Sequence, residues 1–194
     1  MYQHQRIPLL TLEEYLALDE ASEHKWEYED GQVYCLAGST NRHAVIVANL
    51  ATALNRALGE QSCLVMTESP KVIVAARKHY YPDLVVSCDE REDEDDVVVR
   101  YPLLIAEVLS PSTERHDRGK KLAAYQRVAS VENILLIATN QAAVLVYERI
   151  KEAPGQWSSH QYDLNQPTIP LASLGLSIQL ADLYRRVTLA SESE

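Results

Sequence analysis

Two carboxylates stand in unusual places in this sequence. Glu107 lies inside the apolar run 103–108, which has proline on both sides and is typical of a short strand buried on both faces. Asp83 follows Pro82 and opens a second apolar run, residues 84–86. A carboxylate in such a strand loses its hydration and needs a cation or a proton as partner. The pattern therefore predicts that a cation meets Glu107.

Two carboxylates on one face of neighbouring strands form a natural site for a hard divalent cation. Mg²⁺ typically takes one or two protein carboxylates and fills its other octahedral positions with water and phosphate oxygens. A metal there would neutralise both acids and make a bound water more acidic. Taken singly, each acid is better explained structurally, Asp83 as a turn residue after Pro82. Their pairing favours a metal site.

A candidate cation follows in residues 117–128, where the pattern predicts a helix. Lys121 and Tyr125 are four residues apart and share one helical face. The ammonium could orient an attacking water, stabilise charge developing on phosphorus, or act as a base if its pKa fell. The spacing equally fits a surface ion pair with Asp117, and Tyr125 equally fits a core position. The residues alone leave this third element open.

The N-terminal part predicts the elements that would support these residues. A capping box at Thr11 opens a first helix. Asp30-Gly31, between two alternating runs, indicates a two-residue hairpin in which Glu27 pairs with Tyr34. Ser39, Thr40 and Asn41 can each cap a second helix, which runs through about Leu58, ends at Gly59 and has His43 in its first turn.

The remaining pattern predicts one domain, residues 1–188, followed by a disordered acidic tail, residues 189–194. An edge strand and loops are expected within 151–170, and a short helix at 181–187. Other strands are expected at 63–67, 71–75, 81–88, 133–139, 142–150 and 176–180.

The charge of the chain bears on its partners. A net charge of −10 argues against a broad electrostatic grip on nucleic acid, which depends on Lys and Arg at phosphates. The acidic segment 89–96 is interpreted as a solvated loop rather than a metal or partner site. Eight basic residues could still line a phosphate track if they share a face: Arg42, Arg56, Lys71, Arg77, Lys78, Arg115, Arg118 and Lys120.

The three cysteines, Cys35, Cys63 and Cys88, are far apart and form no CxxC pair. We expect them to be reduced core thiols rather than disulfide or zinc ligands. The sequence has neither a signal-peptide pattern nor a run of membrane-spanning length, so a cytoplasmic protein without a membrane partner is expected.

The chemistry-bearing residues resemble a known family. They look like the motif residues of the Uma-two family: Asp83 after Pro82, the run Glu-Val-Leu-Ser-Pro-Ser-Thr at 107–113, and Asp117, Lys121 and Tyr125 downstream. That family is grouped with the restriction endonucleases in the PD-(D/E)XK nuclease superfamily. The resemblance spans roughly residues 10–184.

The resemblance implies an α/β fold of mixed α+β type. Its core would be a restriction-endonuclease-like central mixed β-sheet flanked by helices, with the N-terminal β-hairpin beside it. It also implies metal-dependent phosphodiester cleavage, most readily of DNA. Asp83, Glu107 and the main-chain carbonyl of Val108 would hold Mg²⁺, with Mn²⁺ as an alternative. A homodimer is expected by analogy with double-strand cutters of this fold.

The sequence departs from the plainest superfamily pattern at Leu109, where a lysine would stand two residues after the glutamate. The resemblance implies that Lys121 supplies the ammonium from the following helix, with Lys120 as its competitor. Glu27 would complete the site from the hairpin. His43 would contact metal, water or phosphate, or serve only the helix terminus.

Two other functions stay open. The acidic charge favours a module with this fold that binds nucleic acid or a protein without cutting. The scarcity of basic residues also fits a metal-dependent hydrolase of a small phosphate compound.

Overall fold

The computed structural model describes residues 9–36, 38–67, 71–93, 95–111 and 113–189. The predicted acidic tail lies outside these ranges apart from Leu189. None of the described helices is long and apolar enough to cross a membrane. The α-helices are α1 (Leu12–Ala21), α2 (Asn41–Leu58), α3 (Glu114–His116), α4 (Leu122–Tyr125) and α5 (Leu180–Leu183).

A six-stranded mixed sheet lies at the centre of the fold. Its fourth strand, Leu104–Val108, carries Glu107. This strand runs parallel to the neighbouring strand Asn133–Ile137 and antiparallel to the strand Leu84–Ser87 on its other side. In spatial order, the strands are β11 (Trp157–Tyr162), β10 (Val144–Arg149), β9 (Asn133–Ile137), β8 (Leu104–Val108), β6 (Leu84–Ser87) and β3 (Leu64–Thr67).

A second sheet, of five strands, was not predicted from the sequence. It includes the N-terminal hairpin, in which Glu27 pairs with Tyr34 as expected. Its order is β2 (Gln32–Cys35), β1 (Trp26–Glu29), β5 (Lys78–Tyr80), β4 (Lys71–Ala75) and β7 (Val98–Val99). A two-stranded sheet joins β12 (Thr168–Leu171) to β13 (Leu176–Gln179).

Alternation along β8 divides the core into two layers. Leu104, Ala106 and Val108 belong to the apolar cluster that includes the buried face of α2. Ile105 belongs to the cluster on the other side, with Tyr125 from α4. Because side chains alternate along a strand, Glu107 faces this second layer with Ile105.

Several predicted elements have different bounds in the structure, and two of these differences concern the site residues. The strand expected at 81–88 begins at Leu84, so that Asp83 immediately precedes it. The helix expected from residue 117 begins at Glu114 and contains a π-helical turn, Asp117–Lys121. The capping box at Thr11, the Thr40 cap of α2 and its end at Gly59 are confirmed.

Two acids of the segment 89–96 form defined contacts. The carboxylate of Glu92 accepts hydrogen bonds from the backbone N–H groups of Arg100 and Tyr101 and from the hydroxyl of Ser87. Asp89 forms two hydrogen bonds with the guanidinium of Arg91. The described part of the segment is thus a mostly exposed loop, as predicted, with Glu92 anchored by hydrogen bonds.

The expectation of reduced cysteines is wrong for Cys63 and Cys88, which form a disulfide. Leu64 of β3 pairs with Ser87 of β6, so the two cysteines occupy the next positions along these antiparallel strands. Their Cα atoms lie 4.1 Å apart. The sequence could not show this because the pairing of β3 with β6 depends on the tertiary fold. Cys35 is a free thiol, as expected.

Replacing both Cys63 and Cys88 with serine should lower the free energy of unfolding by roughly 3 kcal/mol, because the bond closes a loop with a sequence separation of 25. Urea unfolding without reductant measures the change, and Cys35→Ser is the matched control. Thiol titration of the denatured wild type should find one reactive group. Three reactive groups would contradict the disulfide.

A buried histidine makes the packing of α1 on the hairpin sensitive to acid. His79 is 3% exposed and packs edge-on against Tyr15 and Tyr28, which stack on each other. Burial, assisted by the charge of Lys71, lowers the pKa of His79 to about 4. Between the usual value of 6.5 and this value, the unfolded chain binds a proton that the folded chain does not.

The folded state should therefore lose roughly 2 kcal/mol through His79 when the pH falls from 7 to 4.5. His79→Phe removes this titration while keeping an aromatic ring. The test compares urea unfolding of the two proteins at both pH values. Equal acid sensitivity in the variant would show that His79 does not carry the effect.

Candidate active site

The partners of Glu107 are an ammonium and a phenol. Glu107 is 3% exposed, and its Oε1 atom lies 2.7 Å from Lys121 Nζ. The hydroxyl of Tyr125 donates to the same oxygen at 2.7 Å. Lys121 and Tyr125 thus share one helical face, as their spacing predicts, and both point at the carboxylate. Tyr125 is a core residue and also a hydrogen-bond donor to the site.

Lys121 is held by a second carboxylate from the hairpin. Its ammonium donates to Glu27 Oε1 at 2.9 Å, and Glu27 is fully buried. Burial alone would lower the pKa of Lys121, but the charges of Glu107 and Glu27 outweigh it and raise that pKa well above its usual value. This arrangement favours the charged form of Lys121.

The π-helical turn brings Asp117 into the same cluster. Asp117 is 3% exposed, and its Oδ1 lies 3.7 Å from Lys121 Nζ. The expected i,i+4 pair exists, but it is buried rather than on the surface. Burial raises the pKa of Asp117, while the charge of Lys121 and a hydrogen bond from Thr113 oppose that rise. π-helical turns occur frequently at functional sites.

Asp83 reaches the cluster from the position just before the neighbouring strand β6. Its Oδ2 accepts the backbone N–H of Val108 at 2.7 Å and lies 3.1 Å from Nε2 of His43. This contact joins the first turn of α2 to the site. Although burial lowers the pKa of His43, its hydrogen bond with Asp83 and that carboxylate's charge raise it above its usual value.

These residues meet at a cleft of about 420 Å³. Glu27 and Tyr125 do not line the cleft. They lie behind two lining residues, with Glu27 bonded to Lys121 and Tyr125 bonded to Glu107. Six of the residues singled out in the sequence line the cleft: His43, Asp83, Glu107, Val108, Asp117 and Lys121.

The cluster has more negative than positive charge. Burial raises the pKa of Glu107 well above its usual value, and Lys121 offsets this only in part because Asp117, Asp83 and Glu27 add negative charge. A bound cation would relieve this imbalance. The contacts described above fall on Oε1 of Glu107 and Oδ2 of Asp83.

The donor set fits a metal that needs few protein ligands. Within the described ranges, no group of three or more His, Cys, Asp and Glu side chains has the arrangement of a metal site. Two carboxylates with a main-chain carbonyl and water suit Mg²⁺, which keeps much of its hydration shell in proteins. They would not suit zinc, which usually takes three or four side chains.

Sequence reasoning missed the support behind the site. The backbone N–H of Tyr81 donates to Glu27 Oε1, and the phenol hydroxyl of Tyr81 donates to the carboxylate of Asp19. Asp19 also forms an ion pair with Lys71 at 2.8 Å. No local pattern marks these contacts, since Asp19 and Tyr81 are 62 residues apart. Lys120, the competitor of Lys121, pairs with Glu29 instead.

One protein family and two proteins of known sequence match most of this chain. The Uma2 family model, described as "Putative restriction endonuclease", matches residues 12–182. "Uncharacterized protein slr1290" of Synechocystis sp. (strain ATCC 27184 / PCC 6803 / Kazusa) is 34% identical over 179 residues, covering 92% of this chain and 93% of that protein. "Uncharacterized protein sll1609" of the same organism is 28% identical over 152 residues, covering 77% and 85%.

A solved structure shares the fold. It is the crystal structure, at 1.96 Å resolution, of "a putative nuclease belonging to DUF820" from Anabaena variabilis ATCC 29413. The TM-score is 0.75 at 19% identity, with 92% of this chain and 99% of that chain covered. The mixed α+β fold inferred from the motif residues is thereby confirmed. By the family match over residues 12–182 and the 34% identity to a relative of similar length, this chain is a member of the Uma2 family.

Proposed function

We propose that the protein is a metal-dependent phosphodiester hydrolase, an endonuclease acting on DNA. One observation supports this most: Asp83, Glu107 and Lys121 come from three different elements and line one cleft. Two carboxylates with a nearby ammonium are the groups that hydrolysis of a phosphodiester needs. In this proposal Mg²⁺, or Mn²⁺ in its place, binds to Asp83, Glu107 and the main-chain carbonyl of Val108.

A bound Mg²⁺ would act as a Lewis acid at the phosphate and make a bound water more acidic. The protein supplies positioning. Tyr125 and Lys121 fix the carboxylate of Glu107, while His43 and the N–H of Val108 fix that of Asp83. Lys121, held protonated by Glu107 and Glu27, stabilises negative charge that develops on the phosphoryl oxygens.

The direct test incubates the purified protein with plasmid DNA and with single-stranded DNA, in Mg²⁺, in Mn²⁺ and in chelator. Cleavage is expected only with a divalent cation. Cleavage that persists in chelator contradicts the proposed metal site. Metal binding without cleavage of either DNA contradicts the enzyme and favours a module that binds without cutting.

Cutting both strands of a duplex would require two such sites. The proposal therefore predicts a homodimer if plasmid DNA is linearised in one binding event. Light scattering after size-exclusion chromatography measures the mass, and a monomer that only nicks plasmid would contradict this assembly.

A further inference from the structure

The cleft at Asp83 continues beyond the proposed site. A second cavity, of about 330 Å³, begins at residues 23–25, and its lining includes Lys25. The two cavities share six lining residues and therefore adjoin beside the candidate site, and we refer to them together as the groove. The shared residues are Leu36, Gly38, Ser39, His43, Tyr81 and Asp83.

The groove carries an aromatic ring and a lysine beside the candidate site. The ring of Tyr81 lines both cavities and is fixed in place, because its hydroxyl donates to Asp19 at 2.6 Å. The Nζ atom of Lys25 lies 5.6 Å from the centroid of this ring. Proteins that bind single-stranded nucleic acid combine such rings, which contact bases, with cations that follow the backbone.

The cations considered for a phosphate track line neither cavity. Affinity for a duplex depends on many Lys and Arg side chains at phosphates. Six of the eight basic residues considered for a phosphate track already pair with carboxylates, and Arg42 donates to the carbonyl of Thr139. The six pairs are Arg56–Asp182, Lys71–Asp19, Arg77–Asp30, Lys78–Glu29, Arg118–Glu114 and Lys120–Glu29.

We propose that this groove binds a single nucleic-acid strand, with Lys25 contacting a phosphate beside the one at Asp83 and Glu107. The ring of Tyr81 lines the intervening sugar or base. The inference rests on the proposed function and narrows its substrate to single-stranded or unpaired nucleic acid. A groove of these dimensions encloses a ligand of small-molecule size, which suits a short length of one strand.

The test measures binding apart from cleavage. Glu107→Gln protein is titrated, by fluorescence anisotropy at several salt concentrations, into a labelled DNA oligonucleotide and into its duplex. The single strand should bind at least about tenfold more tightly. Adding Lys25→Gln should weaken that binding and reduce the slope of log K against log salt by about 0.7, the value for one phosphate contact. Lys25→Arg should restore both.

Lys151→Gln is the matched control, since Lys151 is an exposed lysine paired with Glu132. It should leave the affinity unchanged. Equal or tighter duplex binding, no effect of Lys25→Gln, or no binding at all overturns the inference.

Cleavage by the wild type in Mg²⁺ is scored separately on the same two oligonucleotides. Selective binding of the single strand without cleavage supports the groove and contradicts the endonuclease. Cleavage with a preference for the duplex supports the endonuclease and contradicts the groove.

Discussion

Glu107→Gln should reduce metal-dependent cleavage by at least about 10²-fold without loss of the fold. Glutamine keeps the shape of the side chain, and its carbonyl can still accept the hydrogen bond from Tyr125. It removes the negative charge that would hold a cation. The same change should leave the melting temperature unchanged or raise it, because burial disfavours the charged form of Glu107.

Single-turnover cleavage and thermal unfolding of the same samples separate the two effects. The matched control is Glu29→Gln. Glu29 is also a buried acid, but it lies on the hairpin and pairs with Lys78 and Lys120 outside the cleft. The Glu29→Gln variant should keep cleavage within a few-fold of wild type. Full activity in Glu107→Gln would remove this residue from the chemistry.

The sequence predicts those features that depend on local patterns of residues, such as the buried strands and the hairpin turn. The apolar runs beside Asp83 and Glu107 indicate buried strands, and the structure places these strands next to each other. The Asp30-Gly31 turn sets the hairpin register that places Glu27 on the inward face, because Asp30 and Gly31 both adopt the positive φ angles that such a turn requires.

What could not be predicted depends on pairings between distant segments. Glu27 and Lys121 are 94 residues apart, and their contact requires the hairpin to lie beside the π-helical turn. The second sheet contains strands of two and three residues, too short to show alternation. Asp117 and Lys121 have the spacing of a solvated surface pair, and only the structure shows that this pair is buried.

Lys121→Met should destabilise the protein by roughly 3 kcal/mol, because it leaves the buried carboxylates of Glu27, Glu107 and Asp117 without their cation. In the variant, Glu107 and Asp117 should bind protons more readily when folded than when unfolded, because burial raises the pKa of both and the opposing charge of Lys121 is gone. Stability is then favoured at low pH and lost as the pH rises through the folded-state pKa values. Urea unfolding at pH 5 and pH 8 should therefore show the larger deficit at pH 8.

The double variant Lys121→Met with Glu27→Gln separates stability from chemistry. Removing the buried charge of Glu27 should recover more than about 1 kcal/mol of the lost stability. Cleavage should stay at least about 10²-fold below wild type, because the cation near the scissile phosphate is still missing. Lys120→Met is the control: this neighbouring side chain is 60% exposed and pairs with Glu29, so stability should change by less than about 1 kcal/mol. If cleavage returned with stability in the double variant, Lys121 would be a structural counter-ion, and the charge at the phosphate would have to come from another group.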